Sequence, residues 1–252
     1  MDTETDERVA QRSRLAWHWP VFFFVIGAGW VALFFLSRSS VTHVVSSWSS
    51  TVAMWLAMSI VMMSTTALPV LQSLADVVRK TSFAVWWAFL LAYLAMWALY
   101  SVVAASLQML LGGLGWMDGH STQSWLSGLI LLASGAYQFS SLKQRCQSEC
   151  VSPMTFFLRY WREGVWGGFK MGLRHGATCI GCCWALMLLA FVGGMVNAAF
   201  MALCALVMAL EKFPTIGTKI TRPLGIALVA AGISVLAFDF ISAAPIEVHQ
   251  HL

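Results

Sequence analysis

Charge is what this sequence has least of. Asp, Glu, Lys and Arg make up 10% of its 252 residues, whereas an ordinary soluble domain carries about 25%. The apolar residues, 59% of the chain, fall in long blocks rather than in short alternating stretches. A membrane span takes ~20 mostly apolar residues, so the blocks use up the length and leave no room for a soluble catalytic domain. Acidic residues are scarcer still within the blocks, where Glu211 and Asp239 stand inside or at the ends, and no Ser, His and Asp set can be assembled. Hydrolase and transferase chemistry is therefore not expected, and the chain is not read as an enzyme. Internal repeats, low-complexity stretches and a Gly-rich phosphate-cradling loop are also lacking. The net charge of +4 would suggest an acidic partner for a soluble protein. Here the basic residues sit in loops, where they orient a membrane chain, so no nucleic-acid partner is expected.

The blocks that remain predict an all-α polytopic membrane protein, a bundle of seven transmembrane helices at about 21–36, 51–71, 84–110, 125–139, 167–192, 196–210 and 224–240. The first is followed by Ser37 and Arg38 and by no small-x-small cleavage site, so it reads as a retained helix and not as a signal peptide. Three regions follow: a cytoplasmic tail at 1–18, a membrane domain at 19–241 and an external tail at 242–252. Twelve loop and tail Lys and Arg fall on one side of this arrangement and one on the other. By the positive-inside rule the N terminus is cytoplasmic and the C terminus outside, as in a multi-pass protein of the bacterial inner membrane. Ser152 as a cap, Pro153 at the first helical position and Gly164 as a stop predict a short interfacial helix at about 153–163, carrying Phe156, Phe157, Tyr160 and Trp161.

The fifth span holds the residues with chemistry. Met171, His175, Cys179 and Cys182 fall within about 80° of one another around a helix, with Cys183 adjacent. Thiolate, thioether and imidazole select soft or borderline metals such as Cu(I) and Zn(II). The competing reading is that cysteines are small apolar core residues. Span six adds a stripe of Asn197, Met201, Cys204, Met208 and Glu211, and span two adds Met54, Met58 and Met62, spaced four apart as in the pore of copper uptake channels. From the span midpoints, Met62, Cys179, Cys182 and Cys204 lie at one depth near the bilayer centre. Cys146 and Cys150 stand on the cytoplasmic side, where thiols stay reduced, as secondary ligands or handover points together with Met58 and Met201. No cysteine lies in an outside loop, so structural disulfides are not expected. Outside, His120, His249 and His251 are weak metal collectors at most.

Several stretches together carry a resemblance. Met62-Met63 followed by Pro69, Tyr93 and Trp97, "YQFSSLKQRC" with Cys150 and Pro153, "HGATCIGCCWALMLLAFVGGMVN" and Glu211-Lys212 resemble the bacterial predicted metal-binding integral membrane protein family, a domain of unknown function, from about residue 55 to 233. Thr65 stands where that family has a proline after the methionine pair. The resemblance implies metal binding and no particular activity.

Three functions follow as expectations. The first is binding of a soft metal within the bundle, for transport, handover or metallation of a membrane partner. Its ligands are His175, Cys179, Cys182, Cys183, Met62 and Cys204, with copper(I) ahead of zinc because methionine is a poor zinc ligand. The second is an accessory or assembly subunit of a larger complex, with structural cysteines and a membrane-protein partner or a second copy of the chain. Gly172 and Gly176, at small-x-x-x-small spacing, would permit its close helix contacts. The third is a membrane thiol oxidoreductase using Cys179 and Cys182.

Overall fold

The computed structural model describes residues 24, 27–31, 47–78, 82–118, 121–194, 197–213 and 216–243. The expected first span lies largely outside them, as do almost all of both tails and His120, His249 and His251. Among the described residues the elements run α1 (Trp48–Val78), α2 (Phe83–Gly113), β1 (Met117–Asp118), β2 (Ser121–Thr122), α3 (Ser124–Gln138), α4 (Ser141–Val151), α5 (Pro153–Tyr160), α6 (Gly164–Met187), α7 (Leu189–Gly193), α8 (Ala198–Glu211) and α9 (Gly217–Ala243).

The seven-helix bundle is not what forms. Among the described residues three helices are long and apolar enough to cross a membrane, Phe83–Gly113, Gly164–Gly193 and Lys219–Ser242. A fourth is reached if the bent pair Trp48–Ser64 and Thr66–Val77 counts as one span. The reason is length. The fourth and sixth expected spans became α3, of 15 residues, and α8, of 14, about 22 and 21 Å at 1.5 Å per residue, short of the ~30 Å hydrocarbon core. The predicted multi-pass inner-membrane placement, cytoplasmic N terminus and external C terminus lose their basis with it, because loop charges were assigned to sides by counting crossings that these helices do not make.

The 60° bend in α1 has a local cause. Pro69 lies inside the helix, and a proline ring clashes with the carbonyl four residues earlier while removing its hydrogen bond. That carbonyl belongs to Thr65, where the bend falls. The proline missing at position 65 is therefore not required for a kink.

Glycines set two close helix pairings. A Cβ on Gly168 would meet the Val85 carbonyl oxygen at 2.6 Å, one on Gly176 would meet the Met96 Cβ at 2.8 Å, and one on Gly172 would overlap the Phe89 carbonyl. One face of α6 thus lies directly on the α2 backbone. On the other side of the molecule Gly135 approaches the Val229 nitrogen and Gly232 the Leu132 nitrogen, at 2.8 and 2.9 Å from a built Cβ, which locks α3 against α9. The core between α1, α2 and α6 is aromatic and sulfur-rich: Trp55, Met62, Met63, Phe89, Tyr93, Trp97 and Met171 are all buried.

Between the two expected central spans stand two short helices. Ser140 accepts a hydrogen bond from the Lys143 amide and starts α4, which turns Lys143, Gln147 and Cys150 inward. Pro153 starts α5, whose Phe156 and Phe157 face into the protein. Arg174 of α6 lies over the Tyr160 ring at 3.7 Å and donates to its hydroxyl at 2.9 Å. That hydroxyl in turn donates to Glu149 of α4 at 3.1 Å. Gly194, at φ 78°, ends α7 in a left-handed turn of the kind glycine adopts without strain.

Candidate functional site

Four cysteines meet where α4 and α6 pack beside the C-terminal end of α8. Cys179, Cys182 and Cys183 are carried on one and a half turns of α6 and are buried. Cys150 of α4 stands close enough to Cys179 and Cys182 to interact with both, Cys183 is likewise a neighbour of Cys179, and the Cys182 and Cys183 sulfurs lie 3.2 Å apart. All are free thiols.

Into this group reaches a cation. Lys212, the residue closing α8, donates from Nζ to the Cys179 Sγ at 3.0 Å, and the Tyr93 hydroxyl of α2 lies 3.5 Å from the same sulfur. Burial alone would push the Lys212 ammonium down, but the field of Cys179, followed by Cys183, Cys150 and Cys182, outweighs it and holds the group well above the usual lysine range. Lys212 is therefore charged at neutral pH. On Cys150 the hydrogen bond to Cys179, together with burial, holds the thiol well above its usual range.

A second buried pair fixes the frame. Lys143 Nζ lies 2.6 Å from Glu211 Oε2, with 1% and 3% of the two side chains exposed, and donates to the Cys182 carbonyl at 2.8 Å. Gln147 Nε2 donates to the Glu211 carbonyl, also at 2.8 Å. One turn of α4 is thus tied both to the cysteine turn of α6 and to the end of α8, beside Lys212.

The remaining expected ligands do not join the cluster. The His175 ring is boxed by Phe89, Tyr93 and Phe156 at centroid distances of 5.8, 5.8 and 5.2 Å, and its Nδ1 has no hydrogen-bond partner among the described residues. Met58, Met62 and Met201 pack in the apolar core. Cys204 is buried on α8, where burial alone pushes its thiol up to about 11. Cys146 abuts Gly181, its sulfur 2.7 Å from a Cβ built there, and is raised by burial and then by Glu149. The expected common depth of Met62, Cys179, Cys182 and Cys204 gives way to a group centred on the end of α8. Cys150, read as secondary, is central. Lys212, Tyr93 and Lys143 were not identified as site residues. A signal for Lys212 was present in the Glu211-Lys212 pair closing an apolar stretch, which reads equally well as a membrane boundary.

The soft-metal site expected within the bundle is overturned. Among the described residues no group of three or more His, Cys, Asp or Glu could hold a metal ion. The Cys179 sulfur takes the Lys212 ammonium as its partner, and that ammonium supplies positive charge where a metal would bring it. No copper site is therefore assigned among the described residues.

A family model described as PpoB2, copper chaperone, matches residues 52–235. The chain belongs to that copper-chaperone family. The match contains the whole cysteine and lysine group as well as the chain from within α1 to within α9. Neither the search of curated proteins nor that of solved structures found a match.

Proposed function

We propose that this protein is an accessory or assembly factor of a larger membrane complex, and that its central cysteines serve as packed, reduced thiols. The observation that carries the reading is α9. It holds the most apolar of the candidate spans, yet only 11% of that window is covered by the rest of the chain, with Ile226, Ile233 and Phe240 among its exposed side chains. An apolar surface of this kind needs lipid or a partner helix. The thiols meanwhile are satisfied internally by Lys212 and one another, as packing residues would be.

Membership of a copper-chaperone family supports copper as the metal of that complex. We assign it the cuprous state, the form that soft donors select. The test is an in-cell photo-crosslink from position 233 combined with the copper content of the captured complex. The expected result is one membrane partner, whose copper falls when the chain is deleted and is restored by a Cys182→Ala, Cys183→Ala variant. A folded variant that captures the partner but leaves it copper-poor would show that the thiols act chemically and would end the structural reading.

A second reading is favoured by the Lys212 to Cys179 contact. A cation fixed beside a thiol promotes the thiolate needed for thiol–disulfide exchange, and Cys150 and Cys183 stand ready as resolving thiols. In a Cys150→Ala, Cys182→Ala, Cys183→Ala variant, attack of the Cys179 thiolate on a disulfide of a partner protein would release one of that protein's thiols and leave a mixed disulfide at Cys179 that accumulates. Cys179 found only as free thiol in that variant counts against this reading.

A further inference from the structure

A cleft of about 690 Å³ is bounded by the end of α3, by α4 and by the start of α9. Its lining includes Gln138, Gln144, Gln147, Thr221, Lys219 and Arg222, and no carboxylate. Lys219 and Arg222 are three residues apart on α9 and therefore share a face. Among the described residues neither is ion-paired.

The floor of the cleft is already satisfied. Gln147 Nε2 donates to Thr221 Oγ1 at 3.0 Å and to the Glu211 carbonyl, and Thr221 donates to the Gly217 carbonyl at 2.9 Å. Gln138 is not. It is 1% exposed, and among the described residues neither its amide nitrogen nor its amide oxygen has a hydrogen-bond partner. A buried amide left so is costly unless something occupies the space it lines.

We infer that this cleft binds a phosphate-bearing anion, with Lys219 and Arg222 neutralising it and the Gln138 amide donating to one of its oxygens. The guanidinium fork of Arg222 suits two phosphate oxygens, and the volume suits a headgroup-sized ligand. The cleft also sits at the Lys219 end of the candidate span Lys219–Ser242, the level at which an acidic lipid headgroup would meet that helix. A lipid headgroup and free phosphate share this chemistry, and the test separates them. None of the four clustered cysteines lines the cleft, so its ligand is independent of copper.

The full chain, purified in detergent, would be titrated with inorganic phosphate, with phosphatidylglycerol and with phosphatidylcholine, and bound adducts counted by native mass spectrometry. Saturable one-to-one binding of phosphatidylglycerol without phosphate assigns a lipid headgroup, and saturable binding of phosphate assigns the free anion. Lys219→Ala with Arg222→Ala should weaken either by at least about tenfold, because each cation removed takes away a favourable attraction to the phosphate. Gln138→Leu should weaken it severalfold while the melting temperature holds or rises, because the orphaned amide is gone. Lys170→Ala, a cation on another face, should bind as the parent does. The proposal is overturned if neither anion binds saturably, if the Lys219 and Arg222 double variant binds like the parent, or if Lys170→Ala weakens binding as much.

Discussion

Lys143 and Glu211 are so deeply buried that neither can fall back on water when the other is removed. Glu211→Gln leaves the Lys143 ammonium with the Cys182 carbonyl as its remaining described partner. The expected loss is ~3–5 kcal/mol of stability, read from denaturant or thermal melts, whereas the double change Lys143→Met, Glu211→Leu should recover most of it. Recovery identifies the cost as that of a stranded charge and not of a missing attraction. Cys204 supplies a pH test. Only the thiolate reacts with iodoacetamide, and burial pushes this thiol up to about 11. The group is therefore neutral below that value, and its alkylation rate should climb roughly tenfold per pH unit until the pH passes about 11. Peptide mapping of the adduct across a pH series checks this, access being the same at each point. A plateau near the ordinary thiol range of about 8.5 would contradict it.

Among the helices, the packing of α2 on α6 rests on the absence of side chains at 168, 172 and 176. Gly172→Ala should separate the pair at Phe89 and lower stability by ~1–3 kcal/mol, the usual cost of overpacking. Gly112→Ala, where a Cβ meets nothing within 4 Å, should hold or raise stability by up to about 1 kcal/mol, since alanine is the better helix former. Melting temperatures of the two variants, measured together, give opposite signs if α6 touches the α2 backbone at position 172. The small-x-x-x-small spacing of Gly172 and Gly176 is readable in the sequence, but the helix it accepts is not, because spacing on one helix says nothing of which neighbour lies against it. The same limit applies to Cys150. Its distance in sequence from Cys179 hides that α4 folds back on α6, held there by Lys143 reaching the Cys182 carbonyl.

For the molecule as a whole, the question is how many helices cross a membrane. Seven spans place positions 197 and 213 on opposite sides, whereas a 14-residue α8 is too short to separate them. Compartment-sensitive reporters fused after Asn197 and after Phe213 should therefore report the same side, and opposite readings would restore a crossing. The apolar blocks, the helix start at Pro153 and the concentration of cysteines on one face of α6 follow from residue type and helical period, which are local properties. Their combination, among the described residues, into three or four membrane-length helices, the packing of His175 among aromatic rings and the placing of Lys212 against Cys179 are decided by tertiary contacts. Hydropathy counts apolar residues but cannot register whether a neighbouring helix or lipid covers them. A lysine at the end of an apolar helix reads as a water-facing boundary until the fold shows four thiols close enough to hold its charge.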